Sequence, residues 1–134
     1  MKQQIFINLP VRDLDKSKAF YVSLGFTINQ QFSDETGACV VISDTIFVML
    51  LTHDKFKQFT PKEIADAHKT TEVLNALSVA SKERVDELME LALNNGGTPN
   101  GQTQEYDFMY GRDFNDPDGH IWELFYMDME KLPK

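Results

Sequence analysis

Glu123 is the acidic residue in the run Ile121-Trp122-Glu123-Leu124-Phe125-Tyr126. A carboxylate so placed has two chemical uses: proton transfer as general base or acid on a small substrate, or the anchoring of a cation. Tyr110 and Arg112 alternate in the segment before it and would bring a phenol and a guanidinium to a small-molecule pocket. Arg112 equally suits a surface salt bridge in an acid-rich chain. The three histidines, His53, His68 and His120, stand at no spacing typical of a metal motif. His120, three residues before Glu123, points to the opposite face if both lie on a strand. His68 reads as a solvated group at a helix C-terminus and His53 as a loop residue. Ser17, Ser43 and Ser78 have no His/Asp arrangement nearby, so nucleophilic catalysis finds no support. Cys39 reads as a core residue on a strand.

These residues need elements to hold them. Residues 4–11 alternate as a strand, with Ile5, Ile7, Leu9 and Val11 on one face and Phe6, Asn8 and Pro10 on the other. Pro10 places that strand at an edge or near its end. Asp13 or Asp15 caps a helix whose Leu14, Ser17, Phe20, Tyr21 and Leu24 follow helical spacing, and Gly25 stops it. Strand-like runs follow at 26–33, 37–43 and 46–52. Residues 53–72 are polar; Thr60-Pro61-Lys62-Glu63 is a capping box and predicts a short helix over 61–68. The first order then returns: a strand over 72–79, a helix capped by Ser81 with Val85, Leu88, Met89 and Ala92 inward, and strands at about 98–104, 107–115 and 119–127. Asn115-Asp116-Pro117-Asp118-Gly119 supplies the last turn.

The halves are a diverged repeat. Leu9-Pro10-Val11 matches Leu77-Ser78-Val79, and Asp44-Thr45-Ile46-Phe47-Val48-Met49-Leu50 matches Asp118-Gly119-His120-Ile121-Trp122-Glu123-Leu124. The expected fold is α+β: two βαβββ modules forming a curved mixed sheet around a cup, with the helices outside. Module one covers 1–52, the polar connector 53–72 and module two 73–128. The connector reads as a lid or a dimer contact.

At 134 residues the chain is long enough for a core without staples, and its 42% hydrophobic content is that of a folded protein. Net charge is −8, which opposes binding to nucleic acid or an anionic membrane. No apolar run reaches spanning length and the start lacks a signal-peptide pattern. With one cysteine, a reducing cytoplasm is the expected location.

The opening Leu-Pro-Val-Arg-Asp-Leu-Asp-Lys-Ser-Lys-Ala-Phe-Tyr-Val-Ser-Leu-Gly-Phe, the closing Gly-Arg-Asp-Phe-Asn-Asp-Pro-Asp-Gly-His-Ile-Trp-Glu-Leu and the doubled βαβββ order resemble the vicinal oxygen chelate superfamily. That group holds glyoxalase I, extradiol dioxygenases, fosfomycin-resistance enzymes and bleomycin-resistance proteins. The sequence is most similar to its bacterial "lactoylglutathione lyase or related" branch. The resemblance implies a homodimer and a cup in which metal enzymes of the family hold a divalent ion on the first and last strands of each module. That ion stabilises an enediolate-like anion as a Lewis acid.

Carried over by position, the four ligand sites are Phe6, Met49, Leu74 and Glu123. Phe and Leu have no donor atom, and a thioether suits soft Cu(I). One carboxylate does not hold a catalytic metal, so no metal or other cofactor is expected. The resemblance also puts Glu123 among apolar side chains, where desolvation would raise its pKa. Glu123 then acts in catalysis, anchors a cationic ligand, or bonds Asn8, Arg112 or a tyrosine and holds the cup together. Phe6, Asn8, Met49, Leu74, Tyr110, Arg112 and Phe125 are the expected ligand contacts. The leading expectation is a small-molecule binder of the glyoxalase/bleomycin-resistance type without the usual metal. The alternative is a metal-dependent lyase, isomerase or extradiol-type dioxygenase that uses Glu123 with unrecognised ligands.

Overall fold

Strand β1 (Ile5–Val11) carries the alternation that the sequence predicts: Leu9 and Val11 are buried and Phe6 and Asn8 are exposed. A computed structural model describes residues 2–133. The Asp13 carboxylate accepts the Lys16 N–H and opens helix α1 (Leu14–Ser23), which ends at Leu24 before Gly25, whose φ is +97°. Strand β2 (Thr27–Asn29) is much shorter than the expected 26–33. The Asn29 side chain accepts the Gln31 N–H and turns the chain into a 3-10 helix, because a short amide competes with the ladder for backbone groups. Strands β3 (Gly37–Val41) and β4 (Ile46–Thr52) form a hairpin closed by Ser43, whose hydroxyl accepts the Thr45 and Ile46 N–H groups. β1 lies parallel beside β4, giving the order β1-β4-β3-β2 and leaving Pro10 on an edge strand.

The expected helix over 61–68 is absent. Thr60 Oγ1 does accept the Lys62 N–H, but no helix follows. A cap cannot offset nucleation where Ile64 is the sole large apolar side chain. The connector is helical elsewhere: Thr52 caps a four-residue helix α2 (His53–Phe56), and a 3-10 turn over Lys57–Phe59 continues it. His53 therefore sits at a helix start, and His68, which no helix precedes, lies against Gly119.

The second half repeats the plan. Strand β5 (Leu74–Ser78) leads to helix α3 (Lys82–Asn94), capped by Ser81 accepting the Arg84 N–H, with Val85, Leu88, Met89 and Ala92 buried as predicted. Where one strand is expected at 98–104 there are two short ones, β6 (Thr98–Pro99) and β7 (Gln104–Tyr106). The break falls at Asn100-Gly101, where Gly101 has a φ of +70°. Strands β8 (Met109–Asn115) and β9 (Ile121–Met127) complete the sheet, in the order β5-β9-β8-β6 with β7 also on β8. Asp116, almost fully buried, accepts the Asp118 and His120 N–H groups and fixes the turn between them.

The α+β class and the doubled order stand as read, except that the strand after the helix of the second module is split in two. Hydrogen bonding runs as two mixed sheets in two units, Met1–Asp66 and Ala67–Lys134. In the first, Leu9, Val40, Val48 and Leu50 share a face of the sheet, and α1 packs on β3 and β4 through Leu14, Phe20 and Tyr21. In the second, α3 packs on β8 and β9, whose buried residues include Phe114, Trp122 and Leu124. Each such side chain removed from water contributes roughly 1.5–3 kcal/mol. Asn75, buried among them, donates to the Ile121 carbonyl at 3.2 Å. Among the described residues no helix is long and apolar enough to cross a membrane.

Candidate functional site

Strand parity decides which side chains leave the helix-covered face of each sheet. In the first sheet Phe6 stands beside Phe47, and Asn8 beside Met49 and Cys39, all on the face opposite α1. The Phe6 and Phe47 rings stack at 4.7 Å with an interplanar angle of 11°, yet Phe6 keeps 45% of its surface exposed. Asn8 donates to the Phe6 carbonyl at 3.2 Å. Cys39 is fully buried, and desolvation pushes its thiol pKa up.

In the second sheet the face opposite α3 carries Leu74, Ala76 and Ser78 on β5, Ile121, Glu123 and Phe125 on β9, and Gly111, Asp113 and Asn115 on β8. Leu74 is exposed; Glu123 and Phe125 are half-buried. No hydrogen bond or ion pair of the Glu123 side chain is found among the described residues. Its direct cross-strand neighbours are Ala76 and Asp113.

Tyr110 and Arg112 do not join Glu123. They pair across the ladder with Tyr126 and Leu124, on the helix side of the sheet. There the Asp86 carboxylate of α3 accepts Tyr110 Oη at 2.6 Å and Arg112 Nη1 at 2.9 Å. The Tyr110 hydrogen bond first, and then Arg112, hold the Asp86 pKa below its ordinary value, and the same bond raises that of Tyr110. The salt-bridge reading of Arg112 is the one realised, and both residues belong to the α3–β8 contact.

The carboxylate that sequence reasoning missed is Asp113. Counting outward from the five-residue loop 116–120 pairs Asn115 with Ile121 and Asp113 with Glu123, so the register depends on the loop length and not on the turn residues alone. Burial, and next the Glu123 charge, raise the Asp113 pKa, against a lowering hydrogen bond from Asn100. Gly101 is close by: a Cβ there would lie 3.9 Å from Asp113 Oδ2.

The positions that match the family's metal ligands hold, in the first unit, Phe6 and Met49 on the helix-free face, and in the second, Leu74 and Glu123 on the corresponding face. Their donors amount to one thioether and one carboxylate, a set unsuited to a hard or borderline divalent ion. No group of three His, Cys, Asp or Glu among the described residues is placed to hold a metal. The residues present do not fit the family's ion.

Residues 3–43 match the family described as bleomycin resistance protein-like N-terminal. No curated protein sequence matches the chain. Among solved structures it is similar to the hypothetical protein SA1046 from S. aureus, with 30% identity over 94% of this chain and 95% of that one and a TM-score of 0.78. A glyoxalase/bleomycin resistance protein/dioxygenase family enzyme from Burkholderia phytofirmans PsJN aligns over 94% of this chain and 99% of its own, at 19% identity and a TM-score of 0.77. A glyoxalase-related enzyme from Fulvimarina pelagi aligns over 94% and 88%, at 20% identity and a TM-score of 0.78. The last two likenesses are of fold.

Proposed function

We propose that this chain is a member of the glyoxalase/bleomycin resistance/dioxygenase superfamily, as its match to the bleomycin resistance protein-like N-terminal family and its fold support, and that it binds a small molecule on the helix-free faces of its sheets without the divalent ion of the family's metal enzymes. The observation that carries this reading is the donor chemistry at Phe6, Met49, Leu74 and Glu123: two hydrocarbon side chains, a thioether and a single carboxylate. Lactoylglutathione lyase chemistry of the metal-dependent kind needs a Lewis acid at those positions. What they offer instead is an aromatic and aliphatic surface with an acidic row, Asp113 and Glu123, in the second unit. An amphipathic molecule with a cationic group suits the face of the second unit, since its apolar body covers Leu74 and Phe125 and its charge meets the carboxylates beside them. The overall charge of −8 favours the approach of such a ligand at long range.

The test is metal loading. After dialysis against a chelator, incubation with excess Mn(II), Fe(II), Ni(II) or Zn(II) and gel filtration, elemental analysis is expected to find far less than one ion per chain. One retained ion per chain would overturn the proposal.

A further inference from the structure

Of the asparagines in the chain, Asn95 and Asn100 alone precede a glycine. An Asn-Gly step can close on itself: the glycine nitrogen attacks the side-chain carbonyl carbon, and with no Cβ nothing crowds the approach. The two steps are held differently. Asn95 is the C-cap of α3, with a ψ of +21°. Its amide donates to the Leu91 carbonyl at 2.7 Å, and just beyond it the Gly97 N–H donates to the Ala92 carbonyl at 2.8 Å. Swinging the Gly96 nitrogen round to the Asn95 side chain means turning ψ, which breaks the cap as well as the side-chain bond. Asn100 stands at the break between β6 and β7, before an exposed Gly101 whose φ is +70°. Its N–H donates to the Asp113 carbonyl at 3.2 Å, a bond on the N-terminal side that a turn of ψ leaves in place. Its side-chain amide hydrogen-bonds the Asp113 carboxylate. No hydrogen bond of the Gly101 N–H is found among the described residues. The acidic counterpart, Asp118-Gly119, is closed, because the Gly119 N–H donates to the Asp116 carbonyl at 3.0 Å.

We propose that Asn100 is a site of spontaneous covalent modification in the folded protein, deamidation through a succinimide closed by the Gly101 nitrogen. A bond forms between that nitrogen and Asn100 Cγ, and the Cγ–Nδ2 bond breaks. The side-chain nitrogen leaves as ammonia, with its own two protons and the one that Gly101 gives up. Water then opens the ring at either carbonyl and leaves an aspartyl or an isoaspartyl residue; nothing is oxidised or reduced. Both asparagines must first release one side-chain acceptor, the Leu91 carbonyl or the Asp113 carboxylate. Only Asn95 must also give up a helix cap. The product acts on the β6–β7 edge of the second sheet. A carboxylate replaces the amide that donated to Asp113, which turns an attraction into a repulsion, and the isoaspartyl form lengthens the backbone between the two strands by one methylene.

Ageing of the full chain in mildly alkaline buffer, followed by peptide mapping, tests the site. Fragment masses assign each amide-to-acid exchange to Asn95 or Asn100, and a parallel sample in urea gives the rates of the unfolded chain. In the folded chain Asn100 is expected to lose its amide roughly three- to tenfold faster than Asn95, the factor set by one further net hydrogen bond at the cap. In urea the two rates should converge, since each step is then an unrestrained Asn-Gly. Gly101→Ala should slow the Asn100 reaction and leave Asn95 as it was, because the added methyl crowds the attacking nitrogen. Asp113→Ala should speed the Asn100 reaction alone by a similar factor of roughly three to ten, by freeing the amide. Equal folded-state rates at the two residues, a faster loss at Asn95, or an Asn100 that stays intact while the urea sample reacts would each overturn the proposal. Neither metal nor ligand enters these readouts, so this inference and the binding proposal can fail separately.

Discussion

Gly119→Ala is expected to destabilise the second unit by about 2–5 kcal/mol, measured by urea or thermal unfolding. Gly119 has a φ of +89°, in the left-handed region that L side chains rarely adopt. The added Cβ would also come within 2.8 Å of the Ala67 carbonyl carbon and the His68 nitrogen, and 2.9 Å of His68 Nδ1. Two of those three atoms are backbone and have no rotamer into which to retreat. The turn cannot shift to make room, because Asp116 is almost fully buried and holds the Asp118 and His120 N–H groups. Gly101→Ala is the internal control. Its φ is +70°, but its new Cβ would meet nothing nearer than Asp113 Oδ2 at 3.9 Å, so it should lose only the conformational part, about 1–2 kcal/mol. Equal losses in the two variants would mean that the 67–68 backbone yields to the turn.

Phe20→Ala should cost about 3–5 kcal/mol, a large share of the roughly 5–15 kcal/mol that folds a domain. Phe20 is 1% exposed and meets Tyr21 edge-on, with ring centroids 5.2 Å apart, on the helix α1 that packs on β3 and β4. Truncation leaves a cavity among side chains fixed by the sheet. Phe6→Ala removes the same atoms from the opposite face of that sheet, where the ring is stacked on Phe47 but 45% exposed. Its expected cost is below about 1.5 kcal/mol, since little buried area is lost. Chemical denaturation followed by far-UV circular dichroism separates the two, and a Phe6→Ala loss as large as that of Phe20→Ala would make Phe6 a core residue. With the order as expected, Phe6 is a position at which a ligand effect can be read without a folding effect.

The sequence made the helices legible where an apolar stripe and a cap coincide. Asp13 and Ser81 cap α1 and α3, and the stripes at Phe20-Tyr21 and Leu88-Met89 are buried. It misled where a local signal stood alone: Thr60 makes its bond to Lys62, but a cap without a packing face starts no helix. Strand lengths at 26–33 and 98–104 were hidden for a related reason, since Asn29 and Gly101 act on the backbone in ways that periodicity does not register. The site was half legible. The Ile121/Glu123/Phe125 face follows from alternation on one strand. The placement of Tyr110, Arg112 and Asp113 depends on the partner strand, and only the hairpin register shows that Asp113, not Arg112, shares the Glu123 face.

In each unit the strand that begins the series pairs, in parallel, with the strand that ends it: Ile5 with Ile46 and Leu74 with Ile121. The β3–β4 and β8–β9 hairpins join close neighbours in the chain, but the outermost rung of each sheet closes a loop of roughly 40 residues or more. Folding of each unit is therefore gated by a non-local encounter, which local turn and helix propensities do not accelerate. Until that rung forms, β4 and β9 each present an unpaired edge, and these are the edges to which Val48-Met49-Leu50 and Trp122-Glu123-Leu124 belong. Glu123 then has a further consequence during synthesis and refolding: a charge in the middle of the apolar β9 edge discourages intermolecular strand pairing at the stage when the chain is most open to it.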